Sequence, residues 1–88
     1  MNSEQIKKFV ETKITQKSKY VKIEFSKRDP VYGIFITDAD YRDLSAKNFW
    51  RIVTSKNFDT YNKTQDINLA RIFNGSEFSK LSLLSDEF

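Results

Sequence analysis

Cysteine and histidine are both absent from this chain of 88 residues. Their absence excludes disulfide scaffolding, thiolate zinc sites, cysteine nucleophiles and histidine general bases together. No apolar run approaches the roughly 18 residues a membrane-spanning helix requires. The opening stretch MNSEQIKKFVE is amphipathic and lacks the apolar segment of a secretory signal. A soluble, cytoplasmic protein is therefore expected, with no membrane partner. No nucleophile–base pair or ligand cluster stands out, so neither catalysis, cofactor nor metal is expected. Asp38, Asp40 and Asp43 form an acidic stretch, but their spacing is not that of a calcium-binding loop. Glycine is scarce as well, with only Gly33 and Gly75 present.

Aromatic residues are plentiful by contrast: eight Phe, four Tyr and one Trp. They suffice for a compact core, which argues against disorder. A chain of this size forms one small domain and buries only about 60% of the surface its unfolded form exposes. Association with copies of itself would help it. The formal net charge is +3 and unevenly placed. Residues 1–28 hold eight Lys/Arg against three Glu, and residues 29–88 hold seven Lys/Arg against nine Asp/Glu. The positive excess of the N-terminal third reads either as a solvated face or as a surface for an anionic partner.

Along the chain, Ser3 is the expected N-cap of a helix over 3–16, with Ile6, Phe9, Val10 and Ile14 as one apolar stripe. At Tyr20 the period changes to two. Val21, Ile23 and Phe25 alternate with polar residues, as in a half-buried strand. SKRDP reads as a turn, and VYGIFIT as a second strand, apolar on both sides. Gly33 within it implies a sharp bend or a close backbone contact. DADYRDLSAK reads as a polar break, NFWRIVTS as the third strand and KNFDTYNK as a hairpin loop. TQDINLARIF and SEFSKLSLL are the fourth and fifth strands, joined at Asn74-Gly75, where a tight turn with positive φ at Gly75 is expected. Residues 85–88 read as a frayed tail. One helix and five short, bent strands over 20–84 make a mostly β fold that closes best into a small barrel of the SH3-like, OB or Sm type.

Two segments resemble the motifs of the Sm-like family, which includes bacterial Hfq. The first is VYGIFITDADYRDL. Gly33 matches the family's strand glycine, and Ile34 and Phe35 match the apolar positions after it. Tyr41 falls at the base-stacking position and Asp43 where the family has asparagine, while Ala39 stands in place of the loop aspartate. The second is FNGSEF, with Phe73, Gly75 and Phe78 in register and Asn74 replacing an arginine. The resemblance spans residues 3–84 in topology. It implies an N-terminal helix followed by a five-stranded bent antiparallel barrel, and a homo-oligomeric ring of five to seven subunits. In that ring, strand four of one copy pairs with strand five of the next, and the Asn74-Gly75 turns face the pore. It also implies binding of single-stranded RNA without catalysis, by Tyr41, Arg42, Asp43, Asn74 and Gly75, with Lys7 and Lys8 on the helix facing phosphates. The altered polar positions, Asp43 and Asn74, leave an alternative open: a structural or protein-interaction module on the same scaffold that has lost the RNA pocket.

Overall fold

The computed structural model describes residues 1–15, 19–38 and 40–84. Helix α1 runs Ser3–Lys13, and its N-cap is Asn2 rather than Ser3. Asn2 Oδ1 accepts from the Gln5 N–H at 2.8 Å, and Gln5 Oε1 accepts from the Asn2 N–H at 3.0 Å. This reciprocal pair satisfies two donors that the first turn leaves open. Glu4 in the first turn and Lys13 in the last complement the helix dipole. The helix ends earlier than expected because Ile14 is already extended. Its β-branched side chain packs on the core from that conformation. Gln16 and Lys17 lie outside the described residues.

Strands β1 (Tyr20–Phe25), β2 (Val31–Phe35), β3 (Phe49–Thr54), β4 (Arg71–Asn74) and β5 (Phe78–Leu83) form one antiparallel sheet in the order β4-β3-β2-β1-β5. Ile23 faces Val31 on one side and Leu81 on the other, and Trp50 faces Phe73. A bulge at Glu24/Phe25 shifts the register of β1 against β5. The sheet does not close into a barrel: β4 and β5 are its two edges.

Both sides of the sheet are covered. On one, α1 lays Ile6 and Val10 against Val21, Ile23, Phe35, Trp50, Ile52 and Phe78. On the other, Ile34, Ile36 and Val53 pack with Phe58. Two-sided burial explains why β2 reads as a continuous apolar run. Gly33 answers to a close contact. A Cβ there would collide with Ile52 Cγ2 and lie 3.3 Å from the Val53 carbonyl oxygen.

Two segments expected to be irregular are helical, so the domain is mixed α/β rather than mostly β. The polar stretch after β2 forms α2 (Tyr41–Ala46). Tyr41 and Ser45, four apart, share its inner side, where Tyr41 meets the Trp50 ring edge-on at 5.9 Å between centroids and Ser45 is buried. The expected hairpin loop after β3 is a 3-10 turn over Ser55–Asn57 followed by α3 (Phe58–Thr64). Phe58 is buried 4.9 Å from the Tyr20 ring, and Tyr61, one turn on, packs on the same cluster. These short segments have weak intrinsic helix preference, and packing decides their state. The fourth strand is correspondingly short. Asp66 Oδ1 accepts from the Asn68 N–H at 3.0 Å and sets a 3-10 turn over Ile67–Leu69 before β4 begins.

Candidate nucleic-acid interface

The two motif segments meet around Trp50. After α2 the chain reverses at Asn48, which takes a left-handed conformation with φ 62°. Asparagine tolerates that conformation better than most residues. Its carbonyl accepts from the Gly75 N–H at 2.8 Å. Its side chain accepts from Trp50 Nε1 at 2.9 Å and donates to the Met1 carbonyl at 3.1 Å. Gly75 is buried and opens a 3-10 turn over Gly75–Glu77, with no positive φ. The expected turn geometry is thus replaced by a steric reason. A Cβ on Gly75 would overlap Asn48 Oδ1 and lie 2.5 Å from Ile6 Cδ1 and 2.6 Å from Trp50 Nε1.

Tyr41 stands at the start of α2, half-buried against the Trp50 ring. Its hydroxyl donates to Glu11 Oε2 at 3.0 Å, which ties α2 to α1. Burial, reinforced by the Glu11 carboxylate, pushes its phenol well above the ordinary tyrosine value. Tyr61 is raised as well, by burial and by the charge of Asp38. Arg42 and Asp43 are exposed on α2. Asn74, exposed at the end of β4, spends its side-chain oxygen on its own turn, accepting from the Ser76 N–H at 3.0 Å and from Ser76 Oγ at 2.8 Å. Lys7 and Lys8 are exposed on α1. A hollow of about 220 Å3 between α1 and α2 brings Lys7 and Arg42 together, beside Glu4. Lys8 joins Lys7 in a shallower one that also holds Glu4 and Glu11.

Asp40, next to the family's loop-aspartate position, is occupied. Arg51 Nε donates to both its oxygens, at 3.1 and 2.8 Å, and the Arg51 Nη2–Asp40 Oδ2 separation is 2.6 Å. These hydrogen bonds hold its carboxyl below the usual aspartate value. The pair fastens the head of α2 to β3. Ala39 lies outside the described residues. Among the described residues, no three acidic side chains converge as a metal-ion site, and no helix is long and apolar enough to cross a membrane.

A further basic surface went unread in the sequence. Arg28, Lys56 and Arg71 line one groove of about 290 Å3, together with Tyr32 and Phe73. They come from the β1–β2 turn, the 3-10 turn after β3, and β4. The three are separated by more than a dozen residues each, and Lys56 and Arg71 fall in the segment 29–88 where acids outnumber bases, so no cluster shows in the sequence.

Compared with protein-family models, curated proteins and solved structures, the chain gives no match.

Proposed function

We propose that the chain is a divergent Sm-like domain that assembles head to tail into a homo-oligomeric ring and binds single-stranded RNA in the cytoplasm without catalysis. The observation that carries this reading is the strand order. β4 and β5 are the two open edges of a bent five-stranded sheet, behind an N-terminal helix. Each edge strand also carries an exposed large apolar residue, Ile72 at 51% and Leu83 at 38% exposure. An unpaired edge with apolar side chains is unstable in isolation, and a heterologous edge-to-edge contact relieves it. The meeting of the two motif segments around Trp50 supports the same reading. By the resemblance, the ring has five to seven copies, with the turn at Asn74-Gly75 toward its pore.

The test is a titration with oligo-U and oligo-A at two salt concentrations. Micromolar or tighter binding that weakens with salt is the expected result. Absence of binding to both oligomers gives preference to the second reading, a protein-interaction module on the same scaffold. That reading draws on the Tyr41 hydroxyl, held by Glu11, and on the Asn74 side chain, held by Ser76. Both the Tyr41 hydroxyl and the Asn74 side-chain oxygen are engaged within the domain.

A further inference from the structure

We infer that single-stranded nucleic acid binds in the groove of Arg28, Lys56 and Arg71, rather than at the hollow between α1 and α2. This rests on the reading of the chain as an RNA-binding domain, and locates the phosphate contacts at three cations the family motifs do not include.

The argument is a comparison of charge. The α1–α2 hollow offers two cations, Lys7 and Arg42, against the carboxylate of Glu4. The neighbouring hollow on α1 sets Lys7 and Lys8 against Glu4 and Glu11. The groove at the β1–β2 turn has three cations and no carboxylate in its lining. A polyanion is drawn to the surface whose positive charge is not cancelled within a few ångströms.

The remaining lining fits nucleotides better than acidic peptide. Tyr32 and Phe73 supply ring surface beside the cations, and Thr54 and Ser55 supply hydroxyls. Aromatic surface stacks on bases of any sequence, while Arg and Lys track the phosphates. Arg28 is prepared for that work. Its guanidinium lies 4.8 Å from the centroid of the Phe25 ring, which restrains the planar fork that grips a phosphate with two hydrogen bonds. Arg28 also lines an adjoining hollow of about 480 Å3 with Lys27, where the Glu77 carboxylate offsets them, so the uncancelled positive surface ends at the turn. Phe73 and Arg71 lie on β4, opposite Trp50 and Ile52, so the groove floor is part of the folded sheet and not of a loose loop.

The experiment uses the full chain and fluorescein-labelled oligo-U and oligo-A of roughly 12 nucleotides, a length matched to small single-strand sites. Anisotropy titrations are run at about 50 and about 200 mM salt. Two variants remove equal charge: Arg28→Gln/Lys56→Gln/Arg71→Gln, and Lys7→Gln/Lys8→Gln/Arg42→Gln. All six side chains are exposed, and thermal melting confirms folding of each variant; single substitutions replace any combination that fails. The groove variant is expected to bind at least about tenfold more weakly at low salt, with a salt slope shallower by about 2, roughly 0.7 for each single-strand phosphate contact removed. The helix variant is expected to stay within about threefold of the native chain, its cations being already offset by Glu4 and Glu11. If the native chain binds but both variants lose equally, or only the helix variant loses, the groove is overturned and the RNA reading stands. If the native chain binds neither oligomer, the RNA reading falls and the groove assignment with it. Polyglutamate that displaces the oligomers at equal charge concentration overturns the choice of nucleic acid as the partner.

Discussion

Asn48 and Gly75, distant in sequence, are locked together backbone to backbone, with the Gly75 N–H donating to the Asn48 carbonyl at 2.8 Å. The same asparagine caps the buried indole N–H of Trp50. The helix α2, the edge strand β4 and the core aromatic are thereby joined at one residue. Gly75→Ala should destabilise the domain by about 1–3 kcal/mol in urea unfolding, because the added methyl overpacks against Asn48, Ile6 and Trp50. Its φ is not positive, so overlap and not backbone strain is the cause. An alanine variant as stable as the native chain would disprove the close approach.

Asn48 combines a left-handed backbone with side-chain hydrogen bonds, and two substitutions separate them. Asn48→Gly keeps the backbone conformation and leaves the Trp50 N–H without its acceptor, for a loss of about 1–3 kcal/mol. Asn48→Ala loses both and should cost more than the glycine variant. The reverse order, measured by the same unfolding midpoints, removes the backbone contribution from the account.

Tyr41 predicts the alkaline limit. Its folded-state pKa is raised, so the fold favours the neutral phenol. Stability from this group is complete below the unfolded value of about 10 and falls as pH climbs through the raised folded value. Tyr61 contributes in the same direction. Tyr41→Phe should therefore flatten the decline above about pH 10 only in part. Melting temperature against pH measures it, and an unaltered alkaline limb rules out burial of the Tyr41 phenol as a source.

Asp40 acts at the other end of the scale. Its folded-state pKa is lowered by Arg51, so its contribution is present above the unfolded aspartate value of about 4 and is lost as pH falls through the folded one. Asp40→Asn should lower stability at neutral pH and make the acid limb shallower. Identical acid limbs in the two proteins would show that the ion pair contributes nothing in solution.

What the sequence disclosed was the part governed by local period. The alternation that begins at Tyr20 marks β1 to within a residue at its end, and the Ile6/Phe9/Val10/Ile14 stripe marks α1 to within its last turn. α2 and α3 escaped because each is shorter than two turns. One pair of contacts apiece, Tyr41 on Trp50 and Phe58 on Tyr20, stabilises a helix that propensity does not announce. Pairing of strands four and five between copies is already an expectation of the sequence, but the failure of the sheet to close was hidden, since closure depends on curvature accumulated over the sheet and not on any residue. For the site, Gly33 was legible as a close-packing point, whereas Gly75 read as a positive-φ turn and its close contacts to Asn48, Ile6 and Trp50 were not legible. Partners of polar groups were not: nothing in the spacing connects Tyr41 to Glu11 or Arg51 to Asp40. The groove cations are likewise gathered only by the fold.

Assembly is the prediction on which most of the functional reading depends. β4 and β5 each have one unpaired side, and Ile72 and Leu83 stand exposed on them. A β4–β5 contact between copies would continue the sheet, satisfy both rows of main-chain groups and cover both side chains. A charge on an edge strand opposes such pairing at little cost to the fold, since the position is already in water. Ile72→Lys should therefore leave the melting behaviour of the isolated domain nearly unaltered and dissociate the assembly. Light scattering behind a sizing column should give a multiple of 10.4 kDa for the native chain and about 10.4 kDa for the variant. A native mass of 10.4 kDa at micromolar concentration sinks the ring. A native multiple that survives Ile72→Lys places the contact elsewhere than β4. If the ring forms, every groove cation is repeated around it, and weak single contacts combine on one strand of RNA. Affinity should then fall far more steeply on dissociation by Ile72→Lys than on loss of any one groove residue, because the linked sites act at high effective concentration.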